Sequence, residues 1–236
     1  QFRKWYGNQE LVVDYEQDGR RIEDYSKENG NSYGFNGKKF YFKKSITWPK
    51  LTSAKNSFRS TPEGHIFDGV GLSAFFESDK DYYHALQFLN SQISSAILPA
   101  IAPTMSLTSG DFLKLPLAEK AIIDLNDTRR LVEISKNDWD SFETSWNFRT
   151  SPLLAYGESG FRVSEAYSAL RSDWLEMTGE VKRLEEKNNR LFIDAYDLDG
   201  ELSPEVPLEE ISLSCNPTYR YGAKFSERER EARLLQ

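Results

Sequence analysis

At 236 residues the chain has room for one large domain or two small ones. Its 39% hydrophobic and 28% charged content is that of an ordinary globular protein, and no apolar run approaches the roughly 18 residues of a membrane span. The net charge of -7 excludes a protein coated in basic surface, and the single cysteine, Cys215, excludes an intrachain disulfide, which fits a reducing cytoplasm.

The opening Gln1-Phe2-Arg3-Lys4-Trp5 is no signal peptide and has no starting Met, so the chain reads as a piece of a longer one. Leu11-Val12-Val13-Asp14-Tyr15 and Phe40-Tyr41-Phe42 read as strands, with Asp18-Gly19, Asn29-Gly30 and Asn36-Gly37 as turns. Ile66 to Leu72 reads as strand and turn, so this front part is expected to be β-rich. From residue 79 to 98 the apolar period becomes helical, and Pro99 and Pro103 are expected to end that helix. Ser109 to Pro116 reads as a short turn and strand. A helix is predicted from about Ala118 to Ile134, and a second from the cap Asn137, with Trp139, Phe142 and Trp146 as a core stripe. The clearest pattern is a heptad seam over 163–195, from Val163, Tyr167, Leu170 and Trp174 to Leu191 and Ala195, with Asn188 as its polar member. The 118–148 helices are its expected partner, in preference to a homodimeric coiled coil. Residues 197–225 read as irregular, and Ser226-Glu227-Arg228-Glu229 as a capping-box start to a last helix.

Catalytic signals are missing. Gly69-Val70-Gly71 is too short for a cofactor-binding glycine loop, and Asn216-Pro217-Thr218-Tyr219 reads as a proline-stabilised turn rather than an adenine-holding one. His65 and His84 lie apart and one cysteine cannot build a zinc site, so neither a metal nor a cofactor is expected on this chain. What stands out is charge distribution. Residues 1–60 carry 12 Lys+Arg against 7 Asp+Glu, whereas 61–236 carry 18 against 30. Such a basic front marks a local polyanion site. Arg3, Lys4, Lys38, Lys39, Lys43, Lys44, Lys50, Lys55 and Arg59, with Ser57, are the candidate DNA contacts, interleaved with aromatic residues and with Ser45 and Thr47. The bland reading of the same residues is a strand core of Tyr41, Trp48 and Phe58 solvated by lysines.

Several phrases resemble one family. They include Phe2-Arg3-Lys4-Trp5-Tyr6-Gly7-Asn8, Ile46-Thr47-Trp48-Pro49, Pro62-Glu63-Gly64-His65-Ile66-Phe67-Asp68, Asn137-Asp138-Trp139-Asp140-Ser141-Phe142-Glu143-Thr144-Ser145-Trp146 and Asn216-Pro217-Thr218-Tyr219-Arg220-Tyr221-Gly222. In this order they are similar to the region downstream of the catalytic domain in PglX-type adenine-specific DNA methyltransferases of bacteriophage-exclusion (BREX) systems. Leu89-Asn90-Ser91 followed by Gly110-Asp111-Phe112 and Leu115-Pro116 also resembles the target recognition domains of restriction-modification enzymes. The resemblance implies an α+β fold: a β-rich target recognition domain over 1–117, then a helical, coiled-coil-like spacer with an irregular C-terminal extension over 118–236. It implies double-stranded DNA as partner and S-adenosylmethionine as cofactor of the parent protein, whose N-terminal methyltransferase domain lies outside this chain. Two other readings compete. One is a docking module for other phage-defence proteins or for a DNA-mimicking phage inhibitor. The other is a sugar-binding or hydrolytic domain built on Trp5 and Trp48.

Overall fold

Alternation along three short segments builds the only sheet among the described residues. In a computed structural model, which describes residues 2–30, 37–53, 55–118, 121, 124–157 and 162–234, these are β1 (Ser45–Pro49), β2 (Arg59–Thr61) and β3 (Gly71–Ala74). The order is β2-β1-β3, antiparallel throughout. Ile46 lies opposite Ser60 and Ala74, and Thr47 opposite Arg59 and Ser73. Because successive side chains point to opposite faces, Ile46 and Trp48 enter the core while Ser45, Thr47, Arg59, Thr61 and Ser73 share the other face. The segment around Trp5 continues the sheet beyond β2. Trp5 N donates to Phe58 O at 3.0 Å and Ser60 N donates to Trp5 O at 2.7 Å.

Helices supply the rest. α1 (Glu16–Glu28) is broken at its start by positive φ at Gln17, Asp18 and Gly19. α2 (Asp79–Leu89) begins on the cap Ser78 and α3 (Gln92–Ile101) on Ser91. α4 (Ser109–Phe112) is a single turn with a Thr108/Asp111 capping box. α5 spans Leu125–Asp140, α6 Pro152–Gly157 and α7 Val163–Ala195. α8 (Pro217–Tyr221) and α9 (Glu227–Leu234) close the chain. No described helix is long and apolar enough to cross a membrane.

The bounds of the predicted 163–195 helix match α7, although the first seam residue, Val163, is exposed, and the α+β class holds. α7 packs on α3, α5 and α6 of its own chain. Its polar seam residue Asn188 donates to Gln87 O at the end of α2, at 3.0 Å. The neighbouring Asn189 accepts from Gln92 N and donates to Pro204 O, both at 3.0 Å. One cluster of buried apolar residues joins the sheet, α2, α3, α5, α7 and the 206–215 segment, running across position 117.

Several expectations are corrected. Leu11 to Tyr15 is not a strand, and Leu11 is 91% exposed. The expected 40–42 strand is absent: residues 38–40 form a 3-10 turn and 41–42 continue as turn, after Gly37 at φ 76° turns the chain where a Cβ would come within 2.8 Å of Phe67. The strand expected over 66–72 begins only at Gly71. The 79–98 helix is two: Ser91 Oγ donates to Phe88 O at 2.6 Å and accepts Ser94 N, ending one helix and capping the next. Pro99 then lies inside α3. Residues 109–112 are helical rather than turn and strand. Asn137 lies within α5 and caps nothing, Trp139 is buried, and Trp146 is 66% exposed, donating its indole N–H to Glu10 O at 3.0 Å. Part of the expected 118–134 helix (119, 120, 122 and 123) and Asn36 fall outside the described residues.

Candidate nucleic-acid interface

The basic residues of the front separate into two groups. Arg3 and Lys4 turn inward. Arg3 is 2% exposed, and its Nη2 meets Asp138 Oδ2 of α5 at 2.6 Å. Its Nε donates to Tyr6 O at 2.7 Å, its Nη1 to Ser214 Oγ at 2.9 Å, and the guanidinium stacks 5.0 Å from the Trp139 ring centroid. Asp138 in turn accepts the backbone N–H groups of Ser214 at 2.7 Å and Cys215 at 2.9 Å. Lys4 pairs with Glu185 of α7, whose other carboxylate oxygen accepts Trp5 Nε1 at 2.7 Å. The Arg-Lys-Trp-Tyr-Gly run and the Asn-Asp-Trp run are therefore two sides of one buried joint. Burial raises the Cys215 thiol well above its ordinary range, with the Asp138 carboxylate adding to it. Gly7 belongs to the joint at φ 118°: a Cβ there would lie 2.7 Å from Arg3 Cδ and 3.0 Å from the Trp139 ring.

The second group surrounds the polar face of the sheet. A groove of about 400 Å³ opens there, with Ser45, Thr47, Arg59, Thr61 and Ser73 among its lining and Lys43 at its side. Thr47 Oγ1 donates to Leu72 O at 2.9 Å. Tyr41 and Lys43 of the 37–43 turn line the groove, and the turn rests on aromatic contacts, with Phe40 stacked on Phe75 at 4.8 Å and Tyr41 edge-on to Phe67 at 5.3 Å. Lys39 and Lys43 bracket one ring, their ammonium groups 4.9 Å and 5.5 Å from the Phe40 centroid. Lys38 Nζ lies 3.4 Å from Asp18 O and 5.9 Å from the Tyr15 ring centroid. Phe42, with φ 65°, is a bulky residue in the left-handed region beside this wall.

The ten residues expected to line one surface do not do so. Arg3, Lys4, Ser57 and Arg59 are buried, the first two with carboxylate partners. Lys44 is held by Asp79 at 2.8 Å and lies 4.0 Å from the Tyr82 ring centroid, and Lys55 meets Glu210 at 2.6 Å. Lys50 is half-buried. Lys38, Lys39 and Lys43 are exposed; Lys39 and Lys43 share the Phe40 ring, and Lys43 and Arg59 both line the groove. Arg59 is lowered from its ordinary value to about 10, chiefly by burial and then by the positive charge of Arg3. Sequence reading missed Thr61 and Ser73, though alternation from Thr47 across the sheet carries them.

Two segments weighed for cofactor or adenine binding are engaged otherwise. Asp68 Oδ1 accepts Val70 N at 2.8 Å and Gly71 N at 2.5 Å. Asn216 is 3% exposed, caps α8 and donates to Leu208 O at 2.8 Å and Ile211 O at 2.9 Å, while Tyr219 donates to Phe2 O. These bonds tie Phe2 and the 208–211 segment to the start of α8.

No protein-family model matches the chain. It is 37% identical over 221 residues to the adenine-specific methyltransferase PglX of Lacticaseibacillus casei (strain Zhang), and 29% identical over 224 residues to the adenine-specific methyltransferase BrxX of Escherichia coli O9:H4 (strain HS). These matches take in 90% and 94% of this chain but 18% of each relative. The chain thus corresponds over most of its length to one part of PglX-type adenine-specific methyltransferases, a part spanning under a fifth of those proteins.

Proposed function

We propose that this chain is the double-stranded DNA recognition module of an S-adenosylmethionine-dependent adenine DNA methyltransferase that acts in phage defence, and that it selects the site without performing chemistry. The methyltransferase domain that takes the flipped adenine lies elsewhere in the parent protein. The carrying observation is a groove lined by Lys43, Arg59 and the hydroxyl side chains of Ser45, Thr47, Thr61 and Ser73, with Lys39 over the same Phe40 ring as Lys43. Lysines at a rim neutralise phosphates, and hydroxyls on a rigid sheet fix register. The names of the relatives support the setting.

The test is a fluorescence-anisotropy titration of the chain with a mixed-sequence duplex over a range of salt. Lys39→Ala with Lys43→Ala is expected to weaken binding evenly across sequences and to flatten the log affinity against log salt slope by roughly 1–2. Lys44→Ala with Lys55→Ala is expected to leave the slope in place, since both lysines are already paired with Asp79 and Glu210. Equal effects of the two double variants contradict the assignment.

A further inference from the structure

Keeping a guanidinium buried without a counter-ion is costly. Arg59 is 8% exposed, and among the described residues no carboxylate lies in ion-pair contact with it. Its hydrogen bonds are long, from Nη1 to Arg3 O at 3.5 Å and to Ser57 Oγ at 3.4 Å, and its Nε has no partner. The cations beside it use up the nearby acids: Asp138 matches Arg3 and Glu185 matches Lys4. Of the acids that line the groove, Asp68 turns one oxygen to backbone amides and Glu10 is exposed. Thr61, two residues along β2 on the same face, has a buried hydroxyl with no partner. The folded chain thus leaves one positive charge and one hydroxyl unsatisfied in the same groove, with Lys43 at its side.

We propose that Arg59 and Thr61 form a seat for a single phosphate group of bound DNA, with Lys43 closing it, so that the ligand brings the anion the fold lacks. The inference rests on the DNA-binding reading above. A phosphodiester suits the seat better than a carboxylate side chain, because its free oxygens can meet a guanidinium fork and a hydroxyl from different directions. The groove, at about 400 Å³, is too small for a duplex and large enough for a phosphate entering from a strand laid across its mouth.

The experiment compares the chain with Arg59→Gln and Arg59→Lys, first by thermal melting in phosphate-free buffer with and without inorganic phosphate at constant ionic strength, then by duplex titration. Without phosphate, Arg59→Gln is expected to melt at or above the parent chain. Inorganic phosphate is expected to raise the melting temperature of the parent chain and to do nothing for Arg59→Gln. Arg59→Gln is expected to bind duplex about tenfold more weakly with the salt slope reduced by about one, and Arg59→Lys to recover the slope but not the full affinity. A melting temperature several degrees lower for Arg59→Gln would make Arg59 structural and overturn the seat. If the parent chain binds duplex and Arg59→Gln binds it equally well with the same slope, the seat is wrong while the recognition role stands. If the parent chain binds no duplex at low salt, both fall.

Discussion

Asp138 collects a guanidinium and two backbone N–H groups from segments far apart in sequence, so one carboxylate ties the chain's front, α5 and the 214–215 segment together. Removing one member of such a buried pair leaves the other charge uncompensated. Asp138→Ala is expected to lower the unfolding free energy by ~3–5 kcal/mol, read by urea denaturation, with duplex binding by the folded fraction unchanged. A loss below about 1 kcal/mol would contradict the joint. At this scale the sequence was half legible. Arg3 and Lys4 look like phosphate contacts because a charged residue near basic and aromatic neighbours reads alike whether it faces solvent or a buried acid. What turns them inward is Asp138 and Glu185, far away in sequence, and no local pattern links them. Arg59 was picked out by charge alone, yet its distinguishing property is the carboxylate it lacks.

Among the elements, α7 was the most legible, since a heptad pattern over 33 residues, interrupted only at Asn188, leaves a helix no alternative period. The α2–α3 break was not, because the apolar face continues through Asn90-Ser91 and only the Ser91 hydroxyl, bonding back to Phe88 O, decides that the helix ends. α9 was legible from its capping box, and its docking is electrostatic. Arg171 of α7 holds Glu231 at 2.8 Å and 2.5 Å, and that hydrogen bond, more than the opposing burial, lowers the Glu231 carboxyl below its ordinary 4.5. A carboxylate lowered in the folded state stabilises above its unfolded value and loses that contribution as pH falls through the folded value. Amide exchange of α9 is therefore expected to speed up as pH drops below about 4.5, relative to α7 at each pH, and Glu231→Gln is expected to remove that dependence. A pH-independent ratio in the parent chain would contradict the tether.

For the whole molecule, the α+β class and the basic front were readable from composition, whereas the small size of the sheet was not. Short aromatic runs such as 40–42 carry strand propensity, but propensity yields where a left-handed glycine, Gly37, turns the chain, Phe40 stacks on Phe75 and Tyr41 meets Phe67 edge-on. The result places Lys43 and a groove on one side of the sheet and the apolar core with α2, α5 and α7 on the other. The central claim is that duplex DNA is met on the first of these sides. Hydrogen–deuterium exchange of the chain with and without duplex measures this most directly. The account predicts slowed exchange in residues 38–47, 59–61 and 71–74, with α5 and the middle of α7 unchanged. Protection confined to α5 and α7, with the groove segments unaffected, would contradict it.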